Sequence, residues 1–510
     1  MKKSLLGLAI LMALSGCSMI PDYLRPYLPV EDQYEAPAKS TPDQSQPLDI
    51  GWRSFFRDPA LRQVISLALE NNKDLKVAAL NVQSYRQQHI IQRAERFPQA
   101  NINSVASRRR LPAMSSGGSS GSGAGSGGSS DGGSSGGGSS SGSTDGGYIG
   151  SGNSSNSGSI SSWYSVTLGL SWEADLFGRL ASLQEEALQN YFASESARRS
   201  TQVTLVASVA NVWLSWRANL TQLQLAKDTL KTHEQTLALT EARLNAGVSS
   251  AMEVSQARSS VESTRAAMER YAREVDLDRN ELTLLVGKKI PANLTPDIKV
   301  EKELLTSFAT GLPSDLLLQR PDIMEAESQL KAANANIGAA RAAFFPTIAL
   351  TTSAGTASSQ SSDLFDAGSG YWEFIPRISV PIFTAGRLKA SLKYAELSKD
   401  VRITQYEKSI QTAFREVNDG LSARTTYVRQ VKAREDLVQA NQDYYNLAEL
   451  RYWAGVDNYL TLLDAQRELF TVQQALIDDR LNQQVSEVNL FKALGGGWQQ
   501  DAFGRDTPEL

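Results

Sequence analysis

Two histidines, His89 and His233, and one cysteine, Cys17, leave this 510-residue chain without the donor set of a His/Cys metal site. No nucleophile–base motif or metal-ligand spacing occurs either, so the chain reads as a protein that is not an enzyme. The polar residues that stand out are grouped in RYWAGVDNYLTLLDAQR, residues 451–467, which brings together Arg451, Tyr452, Asp457, Asp464 and Arg467. Ala454–Gly455 ends one helix-compatible run, and Asp457 or Asn458 can cap the next. Leu460, Leu463 and Asp464 then fall on neighbouring faces of the new helix. A helical hairpin turns here with an acid at its tip. On spacing alone, Asp464 is equally an exposed helix acid with Arg451 and Arg467 as solvated partners.

The same punctuation recurs upstream at an offset of 208 residues. Arg243, Ala246, Gly247, Val248 and Ala257 match Arg451, Ala454, Gly455, Val456 and Ala465, and Gly178–Arg179 matches Gly386–Arg387. Further upstream the offset is 248, where Asp74, Ala94, Phe97 and Pro98 match Asp322, Ala342, Phe345 and Pro346. The chain is therefore an internal two-fold repeat whose first half has gained 40 residues between positions 98 and 179. That gain falls on 115–160, almost all glycine and serine, a composition that carries no core and predicts a solvated loop.

Long helix-compatible runs must position these tips, with Gly420 interrupting the one over 387–454. Residues 60–97, 179–246 and 249–286 predict helices in the first half, and 315–345, 387–454 and 458–494 in the second. The 179–246 run would span roughly 100 Å at 1.5 Å per residue. Two apolar stripes share it, Val203, Val206, Ala210, Trp213 and Leu205, Val209, Val212, Trp216, so it has neighbours on more than one side.

Between the helices the period changes to two. Tyr164, Val166, Leu168, Leu170 and Trp172 alternate with polar or small residues, and Phe374, Ile378, Val380 and Ile382 oppose Glu373, Arg377 and Ser379. Their partners, 100–107 and 347–354, alternate more weakly. Aromatics near the ends fit strands with one face in lipid and one in water, although a soluble sandwich would share the alternation. Arg108, Arg109 and Arg110 follow the first strand, where they either meet lipid phosphates or snorkel from a strand end. Four strands cannot close a barrel, which needs at least ~8, so several chains must share one.

The N-terminus supplies an address. Lys2–Lys3, the apolar run Leu5–Leu14 and the small residues before Cys17 form a signal peptide over 1–16 that resembles a bacterial lipobox. Cys17 is then the acylated residue, unless the signal is a plain secretory one and the cysteine incidental, and 17–58 is an extended tether with Trp52, Phe55 and Phe56 as docking points. Balanced charge, 51 Lys+Arg against 55 Asp+Glu, gives no electrostatic case for nucleic acid.

The chain resembles the TolC family of outer-membrane efflux channels, in its OprM-like lipoprotein branch. The carriers are the lipobox, GWRSFFRDPAL at 51–61, SWEADLFGRL at 171–180, LLLQRPDIMEAE at 316–327, ANIGAARAAFFPTIAL at 335–350, VPIFTAGRL at 380–388, the 451–467 motif and VNLFKALGGGW at 488–498. The resemblance implies a mixed α/β membrane protein. It is a homotrimer with a twelve-stranded outer-membrane β-barrel, four strands per chain, continuous with a long periplasmic α-helical barrel and an equatorial domain. The repeats would cover 59–287 and 315–494, with 288–314 and 495–510 in the equatorial belt. It also implies a passive exit duct for drugs and toxic compounds, fed by an inner-membrane resistance-nodulation-division pump through a periplasmic adaptor. No cofactor is implied beyond the lipid on Cys17. By motif position, Leu460 and Asp464 become constriction rings, Arg467 and Tyr452 polar ties that hold the helices closed, and Asp457 a further gate residue. Gly247, Val248, Gly455 and Val456 become adaptor-docking positions, although glycine as a plain helix C-cap accounts for two of them equally. Metal efflux, protein export and a structural scaffold lipoprotein remain alternatives.

Overall fold

The computed structural model describes residues 18–27, 29–31, 51–110, 160–298, 305 and 318–496. The expectations for Cys17, for the glycine–serine stretch up to Ser159 and for the tail beyond Gly496 fall outside these residues. Two compact units are present, one formed by Phe97–Ala174 and Thr347–Ser379 and the other by the rest of the chain.

The larger unit is helical. Its elements are α1 (Trp52–Phe55), α2 (Pro59–Asn71), α3 (Lys73–Ala94), α4 (Arg179–Asn245), α5 (Ala251–Val286), α6 (Pro321–Ala342), α7 (Arg387–Trp453) and α8 (Tyr459–Ala493). Helices α3 and α6 begin and end at the 248-residue offset, and α4 and α7 at the 208-residue offset. The breaker-free run 60–97 is two helices rather than one. Asn72 interrupts it by leaving helical geometry, capping Leu75 N at 2.8 Å and donating to Leu285 O at 2.8 Å. A side chain that offers the backbone an alternative partner competes with the helix and favours a cap. Gly420 does not break α7; it lets Leu490 pack against the helix, where a β-carbon would meet that side chain at 2.9 Å.

Both stripes of α4 are used. Val203, Val206, Ala210 and Trp213, and Leu205, Val209 and Trp216, are buried, and α4 packs against α2, α3, α5, α6 and α8. Trp52, Phe55 and Phe56, the expected docking points of the tether, are packed into the helical core, all at most 1% exposed. Phe55 stacks on Phe491 at 3.9 Å, and Phe56 bridges to Leu305. The described residues after Cys17 are tied to α6. Arg25 donates to both oxygens of Glu327 at 2.9 Å, Asn334 donates to Pro21 O at 2.7 Å, and Lys331 sits over the Tyr23 ring.

The smaller unit is a four-stranded antiparallel sheet in the order β1 (Gln99–Arg110), β2 (Ile160–Ala174), β3 (Thr347–Ser358) and β4 (Gly370–Ser379). The register pairs Ile102 with Leu168, Leu168 with Ala354 and Ala354 with Trp372, so even-numbered residues of all four strands share a face. That face carries Ile102, Leu168, Leu170, Trp172, Leu350, Trp372, Phe374 and Ile378. The other carries Asn101, Asn103, Ser165, Thr167, Ser171, Thr351, Glu373 and Arg377. Ile102, Leu168, Trp372, Phe374 and Ile378 are exposed. Three boundaries differ from expectation. Arg108–Arg110 lie inside β1, Ile160 opens β2, and Val380 and Ile382 lie beyond β4.

Candidate functional site

The four helix ends of the 208-residue repeat build the candidate site. Helix α4 ends at Asn245 and α7 at Trp453, each in a Schellman turn. Val248 N bonds Arg243 O and Val456 N bonds Arg451 O, both at 2.9 Å, while Gly247 and Gly455 take φ +75° and +74°. Glycine is needed for that left-handed backbone, and no atom lies within 4 Å of where a β-carbon would sit on either. The glycines are thus C-caps open to solvent, and Val248 and Val456 beside them are each 63% exposed. Ser250 and Asn458 then cap α5 and α8 through Glu253 N and Thr461 N.

Asn458 having taken the cap, Asp457 is free for another partner. Arg451 Nε and Nη2 donate to its two oxygens at 2.6 and 3.0 Å, closing the turn across the tip. Those hydrogen bonds hold the Asp457 carboxyl below its ordinary pKa.

Behind the turn lies a small core made of Tyr452, Tyr459, Leu462, Leu463 and Ala257, with Leu237 and Tyr445 against it. It joins both hairpins, because Leu237 and Ala257 belong to the first and the others to the second. Tyr452 packs edge-on against Tyr459 at 5.7 Å, and the Arg243 guanidinium lies 5.1 Å above its ring. Burial raises the Tyr452 pKa, opposed by Arg243, and pushes Tyr459 up to about 12. The Tyr452 hydroxyl is buried beside that of Thr240, whose own proton goes to Thr236 O at 2.8 Å. Within one chain, then, Tyr452 holds the hairpins by packing and a cation–π contact. Tyr459 and Arg243 were not singled out from sequence, although Arg243 carries the repeat signal as the counterpart of Arg451.

Leu460 and Asp464 stand one helical turn apart on α8, both exposed, on the side away from the buried Leu462, Leu463 and Ala465. Among the described residues Asp464 and Arg467 make no side-chain hydrogen bond or ion pair. Arg467 lies near the buried His233, whose Nδ1 is 2.9 Å from Thr264 Oγ1 and whose pKa burial lowers. The site is thus an apolar knot carrying an outward acid, an outward leucine and two exposed valine turns. It can bind and repel charge, and it holds no reactive pair. No cluster of His, Cys, Asp or Glu suited to a metal ion occurs among the described residues.

The chain is matched by the family model described as Outer membrane efflux protein over residues 64–288 and 312–496. It is 50% identical over 506 residues to the antibiotic efflux pump outer membrane protein ArpC of Pseudomonas putida, covering 98% of this chain and 97% of that one. It is also 50% identical, with the same coverage, to the toluene efflux pump outer membrane protein TtgC of that species. The solved open state of the Neisseria gonorrhoeae MtrE outer membrane channel superposes with a TM-score of 0.77 at 35% identity, covering 95% of this chain and 99% of that one. Repeated helical hairpins, a two-faced sheet and these likenesses end to end have one reading: the chain belongs to the outer membrane efflux protein family and is an outer-membrane component of an efflux system.

Proposed function

We propose that three copies of this chain close a twelve-stranded barrel in the outer membrane and extend it as a helical conduit, a passive exit duct for small toxic compounds. The observation that carries this reading is the single apolar face shared by all four strands, with β1 and β4 as open edges. An unpaired edge in lipid leaves backbone groups unsatisfied, and pairing β1 of one copy with β4 of the next removes it. Helices that begin and end at fixed offsets support a duplicated plan, in which each chain contributes two equivalent hairpins.

In that assembly Leu460 and Asp464 form rings at the periplasmic end. Each pair of carboxylates at ~4 Å repels by roughly 1 kcal/mol in water and about 4 at an effective dielectric of 20. Closure therefore needs cations, or ties from Arg467 to neighbouring helices, while Tyr452 packs the two hairpins together and the Arg451–Asp457 pair keeps each tip folded. The exposed turns at Gly247–Val248 and Gly455–Val456 are the docking points of a periplasmic adaptor, which couples the duct to an inner-membrane resistance-nodulation-division pump. Cys17 carries the lipid anchor. The relatives are named for antibiotics and toluene, so the cargo class is drugs and small apolar compounds.

Planar-bilayer recording of the purified trimer tests the reading. The parent conducts poorly and prefers cations, and Asp464→Ala lowers that preference and the block by divalent ions. An unchanged selectivity in Asp464→Ala puts the constriction elsewhere.

A further inference from the structure

The barrel proposed above has one feature that its role as a duct leaves unused. Arg108 and Arg110 end β1, and the register places them opposite Ser162 and Ile160. Both are even-numbered and so share the apolar face with Ile102 and Leu168, whereas Arg109 between them belongs to the polar face. All three side chains are exposed. The strand ends that continue into helices, Gln99, Ala174, Thr347 and Ser379, lie at the opposite end of the ladder.

The even-numbered positions of the four strands include no Asp or Glu; the sheet's carboxylates, Glu173 and Glu373, are both odd-numbered. The acids of the β3–β4 turn, Asp363 and Asp366, make no ion pair with either arginine among the described residues. Two guanidiniums therefore stand on an otherwise uncharged apolar face with no counter-charge from the sheet. Their depth is set by Tyr164, the aromatic opposite Ala106, one same-face step before Arg108. An arginine costs ~0–1 kcal/mol at the interface of a barrel and ~2–4 at the midplane, so this pair belongs at headgroup level.

We infer that Arg108 and Arg110 form a phosphate-binding pair for a phosphorylated outer-leaflet glycolipid, held against the lipid-facing side of β1. Two residues along a strand separate the guanidinium stems by roughly 6.6 Å. Each can grip a phosphate through two parallel N–H bonds, the geometry that distinguishes arginine from lysine. The inference rests on the barrel reading. The phosphates supply the charge that the sheet lacks, and the apolar rows below take the acyl chains.

The test is flotation of the purified trimer with phosphatidylcholine vesicles, followed by binding of lipopolysaccharide and of its enzymatically dephosphorylated form. The parent binds the phosphorylated form preferentially. R108A/R110A binds it about tenfold or more weakly, the loss expected for charge-assisted hydrogen bonds. R109A stays within about twofold of the parent by the same reasoning, and R108K/R110K falls between. Equal loss in R109A, or parent binding that ignores the phosphates, overturns the inference. So does a double variant that keeps its lipid but loses the trimer, which would pair these arginines with acids of a second copy. Failure of the parent itself to float refutes the barrel, and the inference with it.

Discussion

Tyr452 separates two accounts of how the hairpin tips are held. Its ring is 4% exposed, faces Tyr459 and lies under Arg243, and its hydroxyl is buried beside that of Thr240. Truncation to alanine empties an aromatic-sized site, which costs ~3–5 kcal/mol for buried aromatics. The lost cation–π contact adds about 0.5–1 kcal/mol. Replacement by phenylalanine keeps both ring contacts and removes only the hydroxyl beside Thr240, at a cost of about 1 kcal/mol or less. Tyr452→Ala should thus destabilise the tip selectively, raising trimer conductance in planar bilayers and speeding amide exchange over 445–463. Tyr452→Phe should match the parent in both assays. If Tyr452→Phe opens the channel as far as Tyr452→Ala, the hydroxyl reaches a neighbouring chain, and the packing account is wrong.

Glycine chemistry at two helix ends gives a graded series. Gly455→Ala should cost about 1–2 kcal/mol from left-handed strain alone, since nothing lies within 4 Å of the added carbon. Gly287→Ala should cost more, because its φ is +72° and Asn71 O sits 2.6 Å from the added carbon; thermal melting ranks the two. His233 predicts acid sensitivity. Burial lowers its pKa in the folded chain, helped by Arg467, so the unfolded chain binds the proton more readily. Its stabilisation is complete above the unfolded value of about 6.5 and declines as pH falls toward the folded one. Melting between pH 7.5 and 5 should show that slope, and His233→Gln should flatten it. Deleting Gly117–Ser159 should leave melting and drug efflux nearly unchanged, because its composition offers nothing to bury and loop closure changes by only ~0.6 kcal/mol per doubling of length. A large loss of either would mean that the segment packs.

Much of this protein is written in local periodicity. Helices α4 and α7 start one residue after Gly178 and Gly386 and end within a residue of the predicted limits, because long side-chain stripes and glycine caps act through neighbours in sequence. The alternation in β2 and β4 likewise announced two faces, since side chains in a strand alternate whatever the partner. Duplication was legible as matched residues at two offsets, and the same offsets reappear in the element bounds.

What required the fold were choices between partners distant in sequence. Asp457 and Asn458 competed on paper for one cap, and the turn geometry gave Asn458 the cap and Asp457 the Arg451 guanidinium. Asn72 breaks a helix that propensity would continue, because Leu285 O, 213 residues away, offers its amide a partner. Tyr23 and Arg25 read as tether until Lys331 and Glu327 on α6 were brought beside them. Arg108 and Arg110 were three arginines in a row with Arg109 until the pairing register assigned faces, and a slip of one residue would have exchanged them. Local spacing determined the long helices and the two-faced strands of this chain; tertiary contact decided the break at Asn72 and which polar groups found partners, because a partner's distance in sequence leaves no periodic trace.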